Sequence, residues 1–238
     1  MIAVIAGFLA SLLALPLAWN ERSRDPWVFP SSRMVGSSVS LEHHHSATEL
    51  SRGKFLVASR QISDPRFMET VLLLIQHDSY GTAGLIINRP TEMRLSDIFP
   101  DMKGLPGKNQ FTYIGGPVAM NQIQLLIHFH GKPQESQWVF GDVYVSSSKT
   151  VLEHLMKKPD AQTKFRAYVG YAGWTSGQLE RELARGDWRV MEADADTIFD
   201  KAPAEIWPDL IRATEVIRIN GMGDIYSRPT GTCCTGRI

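Results

Sequence analysis

The residues that could do chemistry in this 238-residue chain fall into three groups. The histidines come first. His77, His128 and His130 sit near the ends of expected strands, and His154 sits on an expected helix. His128 and His130 are spaced i, i+2 and point the same way if the strand continues. That pair could seed a metal site, but no carboxylate or third histidine stands at a telling spacing, so these read as satisfied or surface histidines. The second group is Asn88-Arg89-Pro90, an amide and a guanidinium at a strand end. Arg89 could grip a carboxylate or phosphate through two parallel hydrogen bonds, or close a structural salt bridge. The third group is a set of small-residue junctions around Gly81 and Gly84, around Gly115 and Gly116, and from Gly170 to Gln178.

Neither GxGxxG nor GxxxxGK[ST] occurs, so the first two junctions read as tight turns ahead of phosphate cradles. The run Gly170-Tyr171-Ala172-Gly173-Trp174-Thr175-Ser176-Gly177-Gln178 is more informative. It reads as a strand-to-helix junction, a place of close helix-on-strand packing where backbone N–H groups can also face a ligand at a helix N-terminus. Tyr171 and Trp174 would flank something flat; the plainer alternative packs Trp174 into the core. Ser176 is not in a GxSxG elbow. The ligand-binding candidates are therefore Gly81, Gly84, Asn88, Arg89, Gly115, Gly116, Gly170, Tyr171, Gly173, Trp174 and Gln178. No catalytic set, metal site or cofactor is assigned.

Composition narrows the classes. The formal net charge is zero and the pI is about 7.1, which leaves no broad basic footprint for nucleic acid. The two cysteines, Cys233 and Cys234, are adjacent and near the C-terminus, so the folded part has neither a disulfide framework nor a thiol nucleophile.

The elements that must position these residues follow from apolar runs and breakers. Val71–Ile75 and Gly84–Ile87 read as buried strands of a hairpin turned at Asp78-Ser79-Tyr80-Gly81, the second stopping near Asn88 because Pro90 has no N–H for a ladder. Phe55–Ala58, Phe111–Ile114, Gln122–His128, Phe165–Val169 and Trp188–Met191 are further strands, and Trp138–Phe140 and Val143–Val145 pair around Gly141-Asp142. Helices are expected over Leu95–Phe99, over Lys149–Lys157 with Ser147 or Ser148 as cap, from Thr175 with Gln178 closing a capping box, and over Asp194–Phe199 and Ala204–Thr214. Asp101–Asn109 reads as a surface loop.

At the N-terminus, Ile2–Trp19 is uncharged and apolar and would span about 27 Å as a helix. Arg22 and Arg24 follow at once, so the chain reads as membrane-anchored with its domain facing the cytoplasm; export after signal cleavage is the alternative. The expected organisation is an apolar segment at 1–19, a flexible linker at 20–52 rich in Ser and Pro, a folded domain at 53–214 and a tail at 215–238. His43-His44-His45 lies in the linker and reads as a solvated patch.

FLVASRQISDPRFMETVLLLIQHDSYGTAGLIINRP, YIGGPV and GYAGWTSGQLEREL occur in that order, followed by DWRVMEADADTIF. Together they resemble the AlgH/YqgE family over about Gly53 to Thr214. The stretch Gln124–His128 departs from the family's GFVLH, and Gly186-Asp187 replaces an Asn-Ala-like pair. The resemblance implies a compact α/β fold with a bifurcated sheet, part of it curled into a small barrel and surrounded by helices. It implies no agreed activity or catalytic residues; one member is named as a regulator of alginate production. The reading is a non-enzymatic regulatory or ligand-sensing domain whose partner is an unknown small molecule or protein. One alternative is an enzyme on a small anionic substrate, with Arg89 holding the anion and His77 or His128 moving a proton. The other is a protein-interaction scaffold.

Overall fold

The computed structural model describes residues 49–100, 110–157 and 163–226, with side chains as far as Val216. Its first three strands form an antiparallel meander: β1 (Lys54–Ala58), β2 (Val71–Asp78) and β3 (Gly81–Ile86). The apolar residues of Phe55–Ala58, Val71–Ile75 and Leu85–Ile87 are buried almost without exception, as runs covered on both faces must be. Asp78 shapes the β2–β3 turn by accepting from Tyr80 N at 2.8 Å.

The remaining strands are β4 (Pro90–Arg94), β5 (Phe111–Ile114), β6 (Val118–His128), β7 (Gln137–Phe140), β8 (Val143–Ser146), β9 (Lys164–Thr175) and β10 (Trp188–Glu192). The main path runs β10-β1-β2-β3-β9-β6-β8-β7, with β4 and β5 branching off it. The sheet forks at β9. Its C-terminal part pairs antiparallel with β3 from Ala172 to Thr175, whereas Ala167 to Val169 pair parallel with β5. Strand β6 runs along the other edge. The path also curls back on itself. Arg52 Nη1 donates to Trp138 O at 3.0 Å, and a Cβ on Gly53 would lie 2.8 Å from Phe140 Cβ. The result is a half-barrel flanked by helices, the bifurcated and curled α/β architecture that the family resemblance implies.

Helices fill both faces. The larger core joins β1–β3 to Tyr168, Trp174 and Trp188. It is covered by Leu179 of α3 (Gln178–Arg185), Ile198 of α4 (Ala195–Phe199), and Ile206, Trp207 and Ile211 of α5 (Pro203–Tyr226). Trp207 is held in place by donating Nε1–H to Ala58 O at 2.8 Å. The smaller core sets Ile123, Leu125, Ile127, Ala167 and Val169 against Leu95 of α1 (Leu95–Ile98) and Leu152 and Met156 of α2 (Lys149–Lys157). Ser148 caps α2 through Val151 N, and Asp194 caps α4 through Thr197 N at 2.7 Å.

Four expectations are corrected. Pro90 opens a strand instead of only closing one: β4 pairs with β5 alone, and on an edge the missing proline N–H breaks no ladder. Strand β9 does not stop at Val169. Gly170, at φ +68°, bends it, and it continues to Thr175 along β3. The expected strand-to-helix junction therefore does not form. Helix α3 starts at Gln178 after Gly177 in a left-handed conformation, and Gln178 Oε1 reaches back to Thr175 N at 3.2 Å, one half of the capping box. The membrane-anchored, cytoplasm-facing localisation is corrected as well: among the described residues no helix is long and apolar enough to cross a membrane. Ile2–Trp19, His43–His45, the Asp101–Asn109 loop and Cys233–Cys234 lie outside the described residues.

Candidate functional site

Asn88 and Arg89 follow β3 and reach back to the loop before β2. Asn88 accepts from Val71 N at 2.9 Å and donates to Glu69 O at 2.9 Å. Arg89 donates Nη1–H to Arg66 O at 2.7 Å and Nη2–H to Met68 O at 2.9 Å and Pro65 O at 3.3 Å. Loop carbonyls thus occupy the fork that the sequence suggested for an anion. Burial pulls the Arg89 pKa below its ordinary value, opposed by Asp64 and Glu69. The pair acts as a clamp on the Asp64–Glu69 loop, where Glu69 is held at φ +55°.

The glycines bring backbones together. Gly115 sits in the fork between β3 and β5, donating to Val169 O at 2.8 Å and accepting from Ile86 N at 2.8 Å. A Cβ on Gly115 would meet Gly170 O at 2.3 Å, and one on Gly116 would lie 2.2 Å from Tyr171 C. A Cβ on Gly81 would meet Trp174 O at 2.5 Å, and one on Gly84 would meet Leu73 O at 3.1 Å. Gly84, Gly115, Gly116 and Gly170 are buried, and Gly173 is exposed with the Tyr171 ring alongside. Tyr171 is half-buried, and desolvation raises its pKa.

Trp174 and Gln178 join a knot that sequence reasoning did not foresee. Glu182 Oε2 accepts Nε1–H from both Trp174 and Trp188, each at 2.9 Å, and its Oε1 accepts from Gln178 at 3.0 Å. The two indoles meet edge to face at 6.2 Å, and Phe67 packs edge-on against Trp188 at 5.7 Å. Placing Gln178 and Glu182 one helical turn apart lets Gln178 brace the carboxylate that holds the indoles, which is the physical content of the GYAGWTSGQLEREL stretch.

The histidines are separate from all of this. His77 shares a hydrogen bond with Thr82 Oγ1 at 2.8 Å near the far end of β2, six residues from Val71 and so roughly 20 Å from the Asn88–Arg89 clamp. His128 stacks on Phe199 with centroids 5.8 Å apart, and His130 pairs with Asp142 at 2.7 Å. Among the described residues no group of three His, Cys, Asp or Glu could hold a metal.

A further cluster, absent from the sequence candidates, lies where β5, β6 and β9 meet. Arg166 and Tyr168 project to the larger-core face of β9, with Gln124 opposite Tyr168 on β6 and Tyr113 beside it on β5. All but Tyr113 are buried, with Arg166 9% exposed. Arg166 Nη2 donates to Phe199 O at 3.3 Å, and the guanidinium carbon lies 4.8 Å from the Tyr113 ring centre. Arg166 Nη1, Tyr168 Oη and Gln124 Nε2 make no hydrogen bond of ordinary geometry, although the Tyr168 hydroxyl lies close enough to the Arg166 guanidinium for the two to interact. Burial pushes the Tyr168 phenol well above its ordinary range, and Arg166 opposes that shift. Beside them opens a cleft of about 490 Å³ walled by Phe111, Tyr113, Phe165, Arg166 and Phe199, with Gln110, Thr163 and Lys164 at its margin. Lys164 is paired with Asp200 at 2.6 Å; among the described residues no carboxylate pairs with Arg166. The signal in the sequence was the alternation of Lys164, Arg166 and Tyr168 with Phe165, Ala167 and Val169 at the start of the strand.

The sequence profile of the AlgH-like family matches residues 55–217. A UPF0301 protein of Streptomyces avermitilis is 34% identical over 166 residues, 67% of this chain and 84% of that protein. A UPF0301 protein of Ralstonia nicotianae is 38% identical over 156 residues, 64% of this chain and 81% of that one. Among solved structures, the solution structure of the AlgH protein from Pseudomonas aeruginosa matches with a TM-score of 0.58 at 25% identity, covering 82% of this chain and all of that one. On this match the chain belongs to the AlgH-like family.

Proposed function

We propose that this chain is a non-enzymatic, ligand-sensing regulatory domain that binds a small anion-bearing molecule in the cleft beside Arg166. One observation carries the reading: a buried guanidinium with no acidic partner among the described residues, unpaired at Nη1, in the wall of a cleft of about 490 Å³. Leaving a buried charged donor unmet costs about 1–3 kcal/mol or more, and an anionic ligand would recover that cost. The enzymatic alternative built on Arg89 loses support because Arg89 is taken up by loop carbonyls, His77 lies near the far end of β2, and His128 stacks on the outside of Phe199, away from Arg89. The test is a thermal-shift screen of the full chain against organic acids, nucleotides, phosphorylated metabolites and metals. A ligand at a hundred times its Kd stabilises by about 2.7 kcal/mol, a shift of roughly 5–10 °C for a domain of this size. A shift lost in Arg166→Met supports the reading. No shift with any compound defeats it and favours the scaffold alternative.

A further inference from the structure

The chemistry around the cleft narrows the ligand class; the inference rests on the ligand-sensing reading above. We propose that the cleft takes an aromatic monocarboxylate, its carboxylate on Arg166 and its ring among Phe111, Tyr113, Phe165 and Phe199, with Tyr113 as the movable cover. Charge is the first argument. Lys164 is neutralised by Asp200 and Arg94 is engaged over the Phe111 ring at 5.4 Å outside the lining, so Arg166 is the cation of the cleft wall that is left to balance one negative charge. A doubly charged phosphate ester would want a second cation or a cradle of backbone N–H groups. The glycine segments that could have supplied such a cradle are packed backbone to backbone in the fork instead.

Hydrogen-bonding capacity is the second argument. Of the three buried donors Arg166 Nη1, Gln124 Nε2 and Tyr168 Oη, only that of Arg166 belongs to the cleft wall, with Gln124 and Tyr168 packed behind it. Gln124 and Tyr168 face each other across β6 and β9, and Arg166 lies two residues from Tyr168 on the same strand face, about 7 Å along it. A guanidinium in the cleft wall has only N–H groups to offer and calls for an acceptor-only group, and an ionised carboxylate offers about four lone-pair sites.

The walls are the third. Four aromatic rings line the cleft, and Phe111 is 46% exposed there, a large apolar side chain already partly in water. Flat apolar surface of this kind suits a planar ring in offset or edge-on contact. Tyr113, half-buried and stacked over the guanidinium, lies on the exposed side of the site, and Arg166 Nη1 itself is shielded from solvent. Rotation of that one side chain would open the guanidinium further to the cleft, so binding would couple to a change of the Tyr113 rotamer.

The experiment is isothermal titration of the full chain with benzoate, phenylacetate and indole-3-acetate. Acetate supplies the charge without the ring, benzyl alcohol the ring without the charge, and inorganic phosphate and AMP the rival anions. The expected result is binding of at least one aromatic carboxylate, with acetate and benzyl alcohol at least about tenfold weaker. Arg166→Met should weaken it about tenfold to a hundredfold, the range of a charge-assisted hydrogen bond. Phe111→Ala, at an exposed position that leaves the core alone, should weaken aromatic probes and not acetate, and it carries the test if Arg166→Met fails to fold. Binding of AMP or phosphate without aromatic carboxylates overturns the ligand class and leaves the ligand-sensing reading standing. Unchanged binding in both variants overturns the site. Silence from every probe here and in the wider screen overturns both.

Discussion

Replacing Glu182 tests the physical account most directly. Its carboxylate accepts from Trp174, Trp188 and Gln178 at 2.9, 2.9 and 3.0 Å, and both indoles are buried, Trp188 at 2% exposed. Glu182→Leu keeps apolar bulk but removes every acceptor. Each stranded buried donor costs about 1–3 kcal/mol. Glu182 is itself only half-buried, so water can reach part of the site, and the expected loss for the two indoles is about 2–4 kcal/mol. For a domain of this size that lowers Tm by roughly 4–16 °C. Glu182→Gln retains one carbonyl oxygen that can take both indole N–H groups, and Gln178 can turn its amide to match, so it should lose less than half as much. The assay is urea denaturation followed by tryptophan fluorescence, with Trp174→Phe added to each variant as a double-mutant cycle. Coupling should be large between Glu182→Leu and Trp174→Phe. If Glu182→Leu costs under about 0.5 kcal/mol, or no more than Glu182→Gln, the knot does not hold these elements together as argued.

Other outcomes follow from the same contacts. Tyr168→Phe removes an unmet buried hydroxyl and should raise stability by about 1 kcal/mol, read as an increase in Tm. Burial raises the Tyr168 pKa above its ordinary value of 10.0. Its contribution is therefore fully present below about pH 10 and is lost as pH rises toward the folded value; Tyr168→Phe should flatten that alkaline decline in a pH series of melts. Gly115→Ala would set a Cβ 2.3 Å from Gly170 O and should cost about 3 kcal/mol or more, seen as lost soluble expression or a collapsed melt. Arg89→Lys keeps the charge but cannot reach three carbonyls in one plane. It should destabilise by about 1–3 kcal/mol and speed proteolysis within the Asp64–Glu69 loop.

The parts legible in the sequence were those written as local pattern. Val71–Ile75 and Leu85–Ile87, with Asp78 and Gly81 between, state a buried hairpin by run length and turn chemistry, and it is there. Strand β4 was hidden because Pro90 forbids a central ladder position, and nothing local says that this edge needs no donor. The continuation of β9 was hidden because Gly170 and Gly173 look like a loop until β3 and the Gly115–Gly116 segment lie against them. Asn88, Arg89, Trp174 and Gln178 stood out by type. Their partners are loop carbonyls and Glu182, some of them far along the chain, so their structural work could not be read from spacing. Arg166 shows the reverse. Its alternation with Lys164 and Tyr168 is an ordinary strand pattern, and its interest arises only once Tyr113 and Gln124 arrive from two other strands.

The pairing of β1 with β10 has a consequence for biosynthesis. Lys54 lies opposite Glu192, 138 residues later, so the first strand's outer edge has no partner until nearly the whole domain has been synthesised. At roughly 5–20 residues per second, the nascent chain would carry that edge open for about 7–30 s. Phe55, Leu56 and Val57, all fully buried at the end, wait in the meantime beside the equally apolar β2. Such an interval is long compared with hairpin formation in microseconds, so the β2–β3 hairpin can form early while closure waits for the C-terminal strand. Ribosome-associated holdases, which bind exposed apolar edges, have their window on this protein in that interval, and a stop codon anywhere before Trp188 would make it permanent.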